Sequence, residues 1–176
     1  MTVNTTDITL RHFQGKEPKI HPSVFLAEGV RLIGDVQIGE DSSLWYNVVC
    51  RGDVNSIIIG KGSNIQDNSV VHVNHDGPSV QIGNHVTVGH SVTLHGCTLE
   101  SFCLIGMNSC VLDGVVVGES SLVAAGSLLT PGKKYPSKVL IQGRPARVVR
   151  DLTREEIEGY LRMASMHYIQ LKKLYL

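Results

Sequence analysis

One aliphatic residue at every sixth position constrains this chain more than any other feature. From residue 59 the sequence reads IGKGSN, IQDNSV, VHV and an interruption, then IGNHVT, VGHSVT, LHGCT, LESFCL, IGMNSC, VLDGVV, VGESSL, VAAGSL and LTPGK. Each unit opens with Ile, Val or Leu, and only LHGCT is shortened to five. The leaders fall in threes: Ile59, Ile65, Val71; Ile82, Val88, Leu94; Leu99, Ile105, Val111; Val117, Val123, Leu129. Amphipathic helices need a 3.6-residue rhythm, so this period excludes them here. One inward residue per six, followed by Gly, Asn, Asp or Ser, suits short strands joined by tight corners. Three sixes close one triangular coil, and each coil buries its leaders only by stacking on the next. Low aromatic content, at 5%, agrees with a thin repetitive core.

Upstream, Ile38, Leu44 and Cys50 fit the same register, and VFLAEG with VRLIGD form an earlier coil after a slip near Val36. The solenoid is expected over about residues 20–132. Pro136 and Pro145 make residues 133–150 read as an extended connector. Thr153 and Glu156 have capping-box spacing, and Ile157, Leu161, Ala164, Tyr168, Leu171 and Tyr175 recur at helical intervals. The expected organisation is a β-helix over 1–150, with its lead-in and connector, and an α-helix over 151–176 packed on its outside.

Sixteen basic residues balance sixteen acidic ones, which argues against nucleic acid as a partner. The stretch MTVNTTDITLRHF lacks the basic start and apolar run of a signal peptide, and no segment has the length and hydrophobicity to span a membrane. The expected location is the cytoplasm, where Cys50, Cys97, Cys103 and Cys110, with no CxxC pair among them, read as buried thiols.

Five of the eight histidines, His72, His75, His85, His90 and His95, lie between residues 72 and 95. A leader points inward, so the residue after it points outward. His72 follows Val71 and His95 follows Leu94, both third leaders of consecutive coils. At the ~4.8 Å spacing of adjacent strands the two imidazoles can share one metal ion. Arg51, after Cys50, belongs to the same column. His90 lies two places after Val88 on another face; as a third ligand it would reach the pair of a neighbouring subunit around a threefold axis. A lone histidine on a solenoid face reads as a solvated or corner residue, which remains the reading of His85; two in stacked register change it for His72 and His95. Two excursions, CRGDVNSII and VHVNHDGPSVQ, interrupt the register and flank this region.

RGD at 51–53, NIQD at 64–67, His72, and GHxxxxHG from Gly89 to Gly96 resemble the gamma-class carbonic anhydrases, hexapeptide-repeat proteins with a left-handed parallel β-helix and a C-terminal α-helix. The likeness covers nearly the whole chain. It implies a homotrimer with a metal between subunits, held by His72 and His95 of one chain and His90 of another. It also implies an intersubunit ion pair of Arg51 with Asp53, and places Asn64 and Gln66 beside the reacting water, with Gln66 orienting hydroxide. Tyr168 is the candidate from the terminal helix. Val54 stands where the family's archetype has a glutamate after RGD, and the following loop offers His75 and Asp76 in place of an acidic shuttle. A histidine shuttle is chemically apt because imidazole titrates near neutrality. The function so implied is hydration of CO2 to bicarbonate with Zn2+, although imidazole ligands also suit Fe2+, Co2+ and Ni2+. Two alternatives stand beside it: a hexapeptide-repeat acyltransferase using acyl-CoA, and a non-catalytic metal-binding scaffold.

Overall fold

The repeat leaders stack in three columns. One runs Ile38, Ile59, Ile82, Leu99, Val117 and Tyr135. The second runs Leu26, Leu44, Ile65, Val88, Ile105, Val123 and Ile141. The third runs Leu32, Cys50, Val71, Leu94, Val111 and Leu129. All but Leu26 are buried, and they form one continuous cluster along the axis. The computed structural model describes residues 7–175 and is a parallel β-solenoid of about seven turns with one C-terminal helix, the fold class expected from the repeat. Residues 1–6, which begin the stretch read for a signal sequence and the expected first domain, and Leu176 at the end of the helical segment lie outside the described residues.

The corners are held by a device the leaders do not reveal. Buried serines two places before a leader bond to the next coil: Ser42, Ser63 and Ser69 donate to the carbonyls of Gly60, Gly83 and Gly89 at 2.7, 2.8 and 3.0 Å. Ser63 and Ser69 also accept from the N–H groups of Val86 and Val92 at 3.0 and 3.1 Å. Each hydroxyl thus satisfies a donor and an acceptor that the turn strips from the sheet ladder. The tight reversal forces positive φ on residues such as Asn47, Asn68, His85 and Asn108, so His85 is a corner residue.

Two segments differ from the sequence expectation. CRGDVNSII is not a loop: Val49–Ile59 is one unbroken strand beside Arg31–Ile38, with the register shift between Gly34 and Val36. A Cβ on Gly52 would lie 2.6 Å from the Asp35 carbonyl, so the RGD glycine permits this close pairing. The solenoid also continues past residue 132. Tyr135 replaces an aliphatic leader, and Val139–Gly143 pairs with Leu122–Val123 before Ala146–Asp151 folds back antiparallel.

The helix begins with a reciprocal cap. Glu156 N–H donates to Thr153 Oγ1 at 3.2 Å, and Thr153 N–H donates to Glu156 Oε2 at 2.8 Å. Its first part, Glu156–Leu161, is π-helical, followed by α-helix over Arg162–Leu171. Near its end the buried Lys172 donates to Ser23 O at 2.6 Å and Asp41 Oδ1 at 3.0 Å, while Tyr168 and Tyr175 pack edge-on against Trp45.

Candidate metal centre

Strand register sets the first pair of histidines. Val70–His72 and Thr93–His95 lie side by side with His72 opposite His95, and Arg51 is opposite His72 on the other side. His72 Nδ1 and His95 Nε2 face each other at 3.1 Å. Two nitrogens bound tetrahedrally at 2.0–2.1 Å to one ion are separated by about 3.3 Å, so the pair is set for a shared cation.

Carboxylates hold the rings from behind. Asp113 Oδ1 accepts from His95 Nδ1 at 2.7 Å, which leaves the Nε2 lone pair free. Asp53 Oδ1 stands 3.4 Å from His72 Nε2, close enough for charge but not aligned for a hydrogen bond. That nitrogen is buried and has no hydrogen-bond partner among the described residues. His90 Nδ1 lies 2.9 Å from Asp67 Oδ2, close enough for charge but likewise not aligned for a hydrogen bond. Three histidines with an aspartate near each, one of them hydrogen-bonded, suit a divalent cation.

Electrostatics favour neutral imidazole at His72. Burial lowers its pKa, with further lowering from the charges of Arg51 and His95. For Asp53, burial pushes the carboxyl up, but the hydrogen bond and charge of Arg51 outweigh it and the net shift is downward. Arg51 and Asp53 are two places apart on one strand face, and their pair closes within the chain at 2.6 Å, where the resemblance implies a contact between subunits.

The residues expected at the site divide between two faces. Arg51, Asp53, His72 and His95 lie on the face of the third column, while Asn64 and Gln66 lie on the second, with His90 at its corner. Among the described residues no three His, Cys, Asp or Glu side chains of the one chain converge on a common point. On the second face a cavity of about 500 Å³ lies between the coil and the helix, with Gln66, His90 and Tyr168 in its lining and Leu104, Met107 and Leu122 as apolar wall. Gln66 Nε2 donates to Asn64 Oδ1 at 3.2 Å, and Asn64 Nδ2 donates to Thr87 Oγ1 at 2.9 Å, leaving Gln66 Oε1 as the free acceptor. Burial raises the Tyr168 hydroxyl pKa, and the charge of Asp67 adds to it. His75 is exposed, bonds Asp76 at 2.9 Å, and shares a surface depression with Asn74 and Asp113. Burial pushes the thiols of Cys50, Cys97 and Cys103 up to about 12, so they stay protonated.

Asp113, Thr87 and the helix residue His167, also in the cavity lining, were not marked by the repeat. A signal for Asp113 existed: Val111 stacks on Leu94, which brings the residue two places after Val111 over the chain just beyond His95.

No protein-family profile matches the chain. Gamma carbonic anhydrase 2, mitochondrial, of Arabidopsis thaliana is 46% identical over 172 residues, 95% of this chain and 62% of that protein, so the chain spans less than two thirds of this relative. A probable carbonic anhydrase of Methanocaldococcus jannaschii is 44% identical over 154 residues, 88% of this chain and 96% of that one. The crystal structure of a hexapeptide transferase family protein from Anaplasma phagocytophilum matches with a TM-score of 0.91 at 46% identity, covering 96% of this chain and 98% of the other.

Proposed function

The chain belongs to the gamma carbonic anhydrase family, and from that premise we propose that it hydrates CO2 reversibly to bicarbonate at metal centres between the subunits of a homotrimer. The observation that carries the proposal is the 3.1 Å convergence of His72 Nδ1 and His95 Nε2 on one face, with His90 exposed at the corner of another. The His72–His95 pair of one subunit and His90 of the next then complete a three-imidazole set that a single chain lacks.

A divalent cation in such a set supplies water acidified to a pKa of about 7, with zinc the first choice and Fe2+, Co2+ and Ni2+ compatible with the same ligands. The remaining work belongs to the chain. Gln66 Oε1, the free acceptor, would take a hydrogen bond from the reacting water and orient it, and Asn64 keeps Gln66 from turning. The apolar wall of Leu104, Met107 and Leu122 admits a small non-polar substrate and excludes bulk water, while Tyr168 bounds the pocket from the helix. His75, one neighbour removed from the carboxylate on His95, takes the released proton to solvent. The proposed compartment is the cytoplasm, a setting that suits four unpaired thiols; no helix among the described residues is long and apolar enough to cross a membrane.

An acyltransferase on this coil needs one basic histidine and no second imidazole 3.1 Å from it, so the His72–His95 pair favours the metal reading. The test is to purify the chain without oxygen, count metal per subunit and measure CO2 hydration beside His90→Ala. The parent should carry one ion per chain and be active, whereas the variant should lose metal from all three sites. Full metal in His90→Ala removes His90 from the ligand set. Acetyl-CoA binding without metal moves the assignment to acyl transfer, and metal without hydration to a scaffold.

A further inference from the structure

We propose that Asp113 is the positioning residue that fixes His95 for metal binding, with Asn74 as its support and Gly96 as the opening that admits it. The proposal rests on the reading of His95 as a ligand and deepens it, because no motif marks Asp113.

The geometry forms a short chain. Asn74 Nδ2 donates to Asp113 Oδ2 at 3.2 Å, and Asp113 Oδ1 accepts from His95 Nδ1 at 2.7 Å. Both carboxylate oxygens are therefore engaged, one toward the imidazole and one toward the loop after His72. A charged acceptor on Nδ1 selects the tautomer whose Nε2 bears the lone pair, and it raises the donor strength of that nitrogen. Nε2 is the atom that meets His72 Nδ1 at 3.1 Å.

Gly96 explains why the carboxylate can stand there. A Cβ at that position would fall 2.2 Å from Asp113 Oδ1, and its φ of +51° is a conformation other residues rarely adopt. The glycine that closes the GHxxxxHG pattern thus leaves room for a side chain arriving from the next coil. Asp67 stands 2.9 Å from His90 and Asp53 3.4 Å from His72, but neither pair is aligned as a hydrogen bond, so the carboxylate bond on His95 has no counterpart on the other two rings. Of the three histidines, His95 has the shortest carboxylate contact.

The test measures Zn2+ affinity of the metal-stripped full-length trimer by competition with a chelator, together with the visible spectrum of the Co2+-loaded protein. Loss of such an outer partner typically costs 10–100-fold in metal affinity; we expect about 10-fold for Asp113→Asn, which keeps an acceptor but not the charge, and up to about 100-fold for Asp113→Ala. The Co2+ spectrum should shift in both, while the melting temperature of the metal-free trimer stays at the parent's value in Asp113→Asn. Parent-like affinity and spectrum in Asp113→Asn overturn the proposal, even if Asp113→Ala fails to fold. His95→Ala separates the two levels: if it binds metal like the parent, the ligand reading has failed, and if it loses metal while Asp113→Asn does not, only the positioning role has failed.

Discussion

Buried amides at the second face show how little freedom the site residues have. Asn64 is 1% exposed and serves two neighbours at once, accepting from Gln66 and donating to Thr87. Asn64→Ala should therefore leave both the Gln66 amide and the Thr87 hydroxyl short of a partner, at a cost of about 1–3 kcal/mol. It should also lower turnover more than it lowers metal content, because Gln66 is released while the imidazoles are untouched. Urea unfolding and metal analysis of the variant check both parts; a parent-like midpoint would show that Gln66 and Thr87 find other partners. At this scale the sequence was informative wherever strand alternation applies. His72 and His95 each follow a third-column leader, so their shared face could be read directly. Asp113 and Thr87 could not be read in the same way: Asp113 lies beyond a corner, where the chain changes direction and alternation no longer says where a side chain points, and Thr87 precedes a leader on the face where only helix docking creates a cavity.

The terminal helix is secured at both ends by charge. At its start the Arg150 guanidinium makes two bonds to Glu156, at 2.8 and 2.7 Å, and these, with the Thr153 N–H bond, hold the Glu156 carboxyl down to about 2. A carboxyl lowered from 4.5 to that value contributes stability that is complete above about pH 4.5 and disappears as the pH falls toward 2. Trp45, the single tryptophan, packs edge-on against Tyr168 and Tyr175 and so reports whether the helix is seated. Its fluorescence in the parent should change between about pH 4.5 and 2 as the cap opens, and Glu156→Gln should lose that portion of the acid transition. Superimposable acid titrations of the two proteins would assign the transition to other carboxylates. The capping box was legible because it is a local pattern of four residues. The π-helical opening over Glu156–Leu161 was not, since no local residue pattern marks it. The strand Val49–Ile59 and the last coil were obscured for a related reason: an inserted excursion and an aromatic leader break the six-residue count, although the parallel pairing continues through both.

Over the whole molecule the repeat gives a rigid prism, and the proposed function depends on how such prisms meet. The leaders form one unbroken core, so the faces keep a fixed relation and side chains on different faces cannot be brought together by bending. His72 and His95 occupy one face, whereas His90 stands at the corner of another beside the cavity containing Gln66 and Tyr168. A centre built from all three must then draw on two chains, and this has a consequence that single variants cannot mimic. A His90→Ala chain keeps the His72–His95 pair, and a His72→Ala chain keeps His90. Neither forms a complete site alone. Co-expressed in equal amounts and assembled at random around a threefold axis, they place a complementary pair in the required order at about one interface in four. Metal content and CO2 hydration of the mixture should recover to about a quarter of the parent's, although each variant by itself is empty and inactive. A mixture that stays empty while mass measurement proves mixed trimers would mean that the three histidines do not meet across an interface, and the centre would have to be sought on one face alone.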